Sequence, residues 1–235
     1  MIKVVAFDAY GTVFDVYSMA KLAEAIFPGH GQAFSVMWRD RQIEYTRLVS
    51  MADPSPTGSR YYTSFWDLTI ASLEYTCDRL RLHLTPQAKH DLLDAYAQLE
   101  TFSDVEDTLG QLKSQGIQTA ILSNGSKEML HTVVDKNHLT DLFDQLISVD
   151  DVRHFKVMPA AYQLLLNQFA CQTDEILFVS CNAWDVVGAG WFGLTTYWVN
   201  RFALPFEKIG LPPNYQAPDL KHLMTLIKSI ESKKE

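Results

Sequence analysis

The chain has 235 residues, 47% of them apolar and 20% charged, enough for one sizeable core or a core domain with a smaller companion. Twenty Lys and Arg against 28 Asp and Glu leave a formal net charge of −8. That balance argues against a nucleic-acid binder, which needs a basic surplus to neutralise phosphates, and no apolar run nears the ~18 residues of a membrane span.

In chain order, residues 2–7 form a short apolar run broken only by Lys3, as expected of a parallel strand buried on both faces, and the run ends in Asp8-Ala-Tyr10-Gly-Thr12. This start is too short and too acidic to read as a signal peptide. From about residue 16 to residue 99 no convincing strand occurs. Residues 35–49 and 62–80 are amphipathic at helical spacing. Between them, Met51-Ala-Asp-Pro-Ser-Pro-Thr-Gly-Ser59 is a loop by composition.

Strand and helix patterns then alternate. A helix is predicted over 104–115, closed by Gly116, with a strand at 119–122 ending in Ser123-Asn124-Gly125-Ser126. A helix at 127–136 and a strand at 146–149 follow, then Asp150, Asp151 and Lys156. A helix at 159–169 leads to a strand at 176–179 that ends in Ser180-Cys-Asn182-Ala-Trp184-Asp185. A last helix, 183–191, and a strand, 195–199, complete the pattern. Lys233-Lys234 reads as a solvated tail. The expected fold is α/β: an open parallel sheet with helices on both faces, built from 1–15 and 100–235, with a helical subdomain, 16–99, inserted after the first strand. Cys77, Cys171 and Cys181 are odd in number and unpaired in spacing, which points away from a disulfide framework or a zinc site and towards a reducing, cytoplasmic setting.

Ligands of open parallel sheets bind beyond the carboxyl ends of the strands. The polar residues ending these runs form one chemically sensible set. Asp8 is a competent nucleophile if held ionised and oriented. Lys156 is the cation that would keep it charged, and Asp185 would balance Lys156 and help position a water. Ser123 and backbone N–H groups after Asp8 would hold a substrate carboxylate. Each piece has a plainer explanation: Asp8 as a turn residue, Ser123-Asn124 and Ser180, Asn182, Asp185 as helix caps, Lys156 as a surface lysine. Capping alone rarely yields all four at strand ends.

Asp-x-Tyr-Gly-Thr, Leu-Ser-Asn-Gly-Ser, a later Lys and Ser-x-Asn-Ala-Trp-Asp, with Phe27-Pro-Gly29, Trp38-Arg39, Gln42-Ile-Glu-Tyr45 and Trp198-Val-Asn-Arg201, resemble the L-2-haloacid dehalogenases of the haloacid dehalogenase superfamily. The resemblance implies a Rossmann-like core under a helical cap, often as a homodimer, acting on short 2-haloacids with water and releasing halide, without cofactor or metal. It implies that Asp8 displaces the halide from C2 with inversion, forming an ester that water hydrolyses to a D-2-hydroxyacid. Arg39 would receive the halide, assisted by Asn124. Thr12, Ser123, Lys156, Tyr162, Ser180, Asn182 and Asp185 would complete the polar set, and Tyr10, Phe65 and Trp184 would wall the substrate. For Arg39 the alternative is a solvated helix position; for the three aromatics it is core packing.

Two other readings compete. A magnesium-dependent phosphatase of the same superfamily needs an acid two residues after the nucleophile, where this chain has Tyr10, and an acidic fourth motif, where it has Ser180 and Asn182. A binding module that lost turnover is the other. Three departures from the family pattern stand out. Val157-Met158-Pro159 follows Lys156 in place of Pro-Asp and could loosen its aim. Asp40 replaces an amide beside Arg39; it either faces the cleft, where it would repel a carboxylate or tie up Arg39 or Arg41, or points to solvent. The 54–59 loop is long, which is expected to alter substrate entry.

Overall fold

The computed structural model describes residues 1–232, so the Lys233-Lys234 tail lies outside the described residues. Six strands form one parallel sheet: β1 (Val4–Phe7), β2 (Gln118–Ser123), β3 (Gln145–Ser148), β4 (Ile176–Ser180), β5 (Thr195–Val199) and β6 (Tyr215–Ala217), in the order β3-β2-β1-β4-β5-β6. β1 lies in the middle, with Phe7 level with Ile121 of β2 and Val179 of β4. The chain order reverses beside β1, so Asp8 leaves the sheet where an open α/β fold places its ligand crevice. Alternate β1 side chains serve two cores: Val5 and Phe7 join the larger cluster, Val4 and Ala6 the one around Tyr162, Leu165 and Phe178.

Between β1 and β2 come α1 (Met19–Ile26), α2 (Gly31–Ala52), α3 (Phe65–Leu80), α4 (Pro86–Ala97) and α5 (Val105–Ser114). The first four form the inserted helical cap, in which α2 packs mainly on α1 and α3. Ser64 starts α3 by accepting the Asp67 N–H at 3.1 Å, so the helix expected from residue 62 begins three residues later. Thr85 caps α4 in the same way at 3.1 Å, with Pro86 in the first turn, where its missing N–H is harmless. α2 runs 22 residues, beyond both ends of the 35–49 pattern.

The core helices are α6 (Lys127–Lys136), α7 (Pro159–Phe169), α8 (Ala183–Phe192) and α9 (Leu223–Glu231). Gly116 stands at φ +70 just past α5, the left-handed stop that its position predicts. β3 ends at Ser148 rather than 149, because the Ser148 hydroxyl accepts the Asp150 N–H at 3.1 Å and turns the chain. β6 and α9 have no counterpart in the sequence reading.

Candidate active site

Asp8 is 5% exposed, Lys156 1% and Asp185 0%. Burial on this scale requires partners for every charge. The Lys156 ammonium donates to Asp8 Oδ1 at 3.0 Å and to Asp185 Oδ2 at 2.8 Å. Asp8 Oδ2 accepts from the Thr12 hydroxyl at 3.0 Å and from Asn182 Nδ2 at 2.8 Å. Asp185 Oδ1 accepts from the Tyr162 hydroxyl at 2.7 Å. Asp8, Thr12, Lys156, Tyr162, Asn182 and Asp185 therefore form one hydrogen-bonded set drawn from the ends of β1 and β4, the loop after β3, and α7 and α8.

Local structure explains how each side chain is aimed. Thr12 accepts the Cys181 N–H at 2.8 Å, which turns its own proton towards Asp8. Ser180 accepts the Asn182 N–H at 3.1 Å and so sets the Asn182 amide without touching Asp8. Asn124 Oδ1 accepts the Lys156 N–H at 2.9 Å. Despite Val157-Met158, Lys156 points at Asp8, and its peptide bond to Val157 is cis. The loop before it is braced by the cap: Phe155 N–H donates to Ser50 Oγ at 2.8 Å, Ser59 N–H to Arg153 O at 3.0 Å, and the His154 ring meets Ser55 O at 2.7 Å. The 54–59 loop thus braces the lysine segment.

Electrostatics follow from burial. Burial works against the Lys156 ammonium, but Asp185 and then Asp8 outweigh it and hold its pKa above the ordinary lysine value. Burial pushes the Asp185 carboxyl up to about 6; Lys156 opposes the rise and Asp8 adds to it. The Tyr10 phenol is pushed well above its ordinary value, again chiefly by burial.

Arg39 reaches the site from α2. Its guanidinium donates to Tyr10 O at 3.3 Å and to Gln42 Oε1 at 2.8 Å, so it is not a solvated helix position. Asn182 shares the same Tyr10 carbonyl at 3.1 Å. The Tyr10 ring lies in an aromatic stack with Tyr96 at 5.7 Å and Phe65 at 5.8 Å. Gly125 makes room for that ring: a Cβ there would stand 2.8 Å from Tyr10 Cε2. Trp184 sits apart from the polar set, half-buried in the wall of the cleft, with Arg47 over its ring at 5.4 Å. Asp40 is exposed on the cleft rim; Arg39 is held as described, and Arg41 donates to the Tyr75 hydroxyl at 3.2 Å.

Of the backbone N–H groups that follow Asp8, those of Gly11, Thr12, Val13 and Phe14 are occupied within their own turn, by Phe14 O or Ala9 O, whereas among the described residues no backbone bond engages those of Ala9 and Tyr10. One alternative explanation needs correction. Ser123-Asn124 does not cap α6, because Ser126 does so by accepting the Met129 N–H at 3.3 Å; Ser123 instead accepts the Gly125 N–H at 3.0 Å. Sequence reading assigned no role to the residues behind Arg39. Gln42, fully buried, donates to Thr69 Oγ1 at 2.6 Å and to the Tyr96 hydroxyl at 3.1 Å while receiving Arg39. The one available signal was the three-residue spacing of Arg39 and Gln42, which puts both on one helix face.

The chain matches the model of the haloacid dehalogenase-like hydrolases over residues 2–193. It is 40% identical to an (S)-2-haloacid dehalogenase of Pseudomonas sp. (strain YL), covering 100% of this chain and 98% of the relative. The L-2-haloacid dehalogenase RSc1362 superposes with a TM-score of 0.93 at 45% identity, over 97% of this chain and 99% of that one. The L-2-haloacid dehalogenase of Xanthobacter autotrophicus with chloropropionic acid covalently bound gives 0.87 at 33% identity, over 98% and 100%. Fold, strand-end chemistry and full-length similarity agree: the chain belongs to the L-2-haloacid dehalogenases of the haloacid dehalogenase-like hydrolase family.

Proposed function

We propose that the protein hydrolyses short L-2-haloacids to D-2-hydroxyacids through a covalent Asp8 ester and without a metal. The observation that carries this reading is the ammonium of Lys156 shared between Asp8 and Asp185, at 3.0 and 2.8 Å, in a buried site. In the first step an Asp8 oxygen attacks C2 from the face opposite the halogen, the carbon–halogen bond breaks, and the halide takes the electron pair. Arg39 and Asn124 are the assigned receivers of that charge, which a guanidinium in a dry pocket stabilises well. In the second step water adds to the Asp8 carboxyl carbon, the ester C–O bond breaks, and the hydroxyacid leaves with an oxygen that began on Asp8. Asp185 takes a proton of that water and returns it to the departing alkoxide, and Lys156 offsets the charge. Ser123 is the assigned donor to the substrate carboxylate; Tyr10, Phe65 and Trp184 are the assigned apolar walls. The chloropropionic acid covalently bound in the Xanthobacter relative supports a covalent intermediate.

The phosphatase reading is weaker on this geometry. Tyr10 stands where a leaving-group acid is needed, and its phenol is buried and made a poorer acid still. The oxygens of Asp8 and Asp185 are each already engaged by Lys156, Thr12, Asn182 or Tyr162. A halide leaves without protonation, so dehalogenation tolerates this arrangement.

The test is halide release from L-2-chloropropionate in the presence of a chelator, followed by a single turnover in heavy-oxygen water. The product hydroxyl of the first turnover should carry light oxygen, and Asp8→Ala should abolish release. Heavy oxygen in that hydroxyl, or magnesium-dependent phosphate release in place of halide release, would overturn the proposal.

A further inference from the structure

The cleft bounded by Arg39 and Asn182 encloses about 720 Å³. At the ~30 Å³ that one water claims in the liquid, this is several times the space of a halopropionate. Its floor is one hydrogen bond from the nucleophile, through Asn182 to Asp8 at 2.8 Å. Its outer wall is apolar. Tyr17, Val36, Phe202 and Leu204 are 39, 49, 41 and 52% exposed, and all four face this one cleft. Tyr17 and Phe202 pack ring to ring with centroids 4.2 Å apart, so the wall is continuous. Exposed apolar side chains gathered in one concavity mark a binding surface, whereas the same residues scattered singly mean little. The rim carries Asp40, Glu44 and Glu207 against Arg47, which lies over Trp184. A second negative charge on the ligand is repelled there, and an uncharged arm is not.

We infer that the site is not confined to the short acids of the parent reading but also takes 2-haloalkanoates with longer alkyl arms, the arm lying along Tyr17, Phe202 and Leu204, and discriminates against dicarboxylic 2-haloacids. This rests on the dehalogenase reading and names its substrate class. The arm is remote from the reacting carbon, so it binds ground and transition states equally and acts through KM.

The experiment measures kcat/KM for L-2-bromopropanoate, 2-bromobutanoate, 2-bromohexanoate, 2-bromooctanoate and 2-bromosuccinate. A value rising about fourfold per added methylene, through falling KM at steady kcat, is expected while the arm is still being buried. Leu204→Asp should leave 2-bromopropanoate within about twofold and lower 2-bromooctanoate by tenfold or more, and Phe202→Ser should act in the same direction. Halide release from 2-bromopropanoate with a flat or falling series overturns this inference alone. So does 2-bromosuccinate turned over as well as 2-bromooctanoate, or a Leu204→Asp loss equal for short and long acids. Leu204→Asp that changes the sedimentation of the protein and leaves the chain-length series intact assigns the apolar wall to a second copy of the chain and also overturns it. No halide from any acid removes the parent reading itself.

Discussion

Asp185 shows how burial turns an ordinary carboxyl into a pH-sensitive one. Its value is pushed from 3.8 up to about 6, so the folded chain holds its proton more tightly than the unfolded chain. The stability it contributes is full below 3.8 and is lost as pH rises through about 6. Activity runs the other way, because the ionised form balances Lys156 and accepts the water proton. The pH–rate profile should therefore have an acidic limb near 6. Tyr162 donates to the ionised carboxylate at 2.7 Å, and losing a hydrogen bond to a charged group costs about 1.5–3 kcal/mol. Tyr162→Phe should move the limb upward by roughly one pH unit, since 1.36 kcal/mol corresponds to one unit. An unmoved limb would assign it to another group. Asp8, Lys156 and Asp185 were all legible from sequence because each follows a buried strand directly or by one short loop, and the open-sheet rule gathers strand ends. Their chemistry also suggested the order, with Lys156 serving Asp8 and Asp185 balancing Lys156; the spacing alone does not give it.

At the scale of elements, α2 carries Arg39 and the means of holding it. Arg39 and Gln42 share a face, and Gln42 is in turn fixed by Thr69 of α3 and Tyr96 of α4. The guanidinium is thus set by three cap helices. Replacing Gln42 with Leu keeps the volume and deletes the shorter of the two bonds on Arg39, leaving only the 3.3 Å bond to Tyr10 O to hold it. The expected result is a loss of roughly tenfold or more in kcat and a matching weakening of inhibition by bromide, with the fold intact by circular dichroism. Unchanged bromide inhibition would reduce Gln42 to packing. Such a network escapes sequence reading because its members lie up to 54 residues apart and meet only after the helices pack. The missed elements fail for a different reason. β6 is three residues, Tyr-Gln-Ala, half-exposed at a sheet edge, too short to show any period. α2 outruns its predicted ends because Gly31 and Met51 carry no apolar periodicity; helix propagation and packing against α1 and α3 carry the chain through them.

On the scale of the whole molecule, the C-terminal third is tied to the nucleophile loop by one buried ion pair. Arg201, just past β5, donates to both oxygens of Asp104 at 2.9 and 3.0 Å and to Thr12 O at 3.1 Å, and lies over the Phe102 ring at 4.0 Å. Asp104 also accepts the Leu220 N–H at 2.8 Å, which anchors the segment leading to α9. Burial raises the Asp104 carboxyl, but Arg201 and the Leu220 amide more than reverse it, and the net direction is downward. Its stabilising effect is therefore present above the ordinary carboxylate value and is lost as pH falls through the lowered one. Removing the cation strands a buried charge, which costs about 3–5 kcal/mol, against 0–1 for an exposed pair. In a chain of this size each kcal/mol moves Tm by about 2–4 °C, so Arg201→Ala should lower Tm by roughly 6–20 °C at neutral pH. The gap should close as the medium is acidified and Asp104 takes up a proton. Replacing both partners by Leu should recover much of the loss, since no stranded charge remains. A drop of only a degree or two in the single variant, with no dependence on pH, would mean that this pair behaves as a surface bridge and that the C-terminal segment is held by its apolar contacts through Leu220, Leu223 and Ile227 alone.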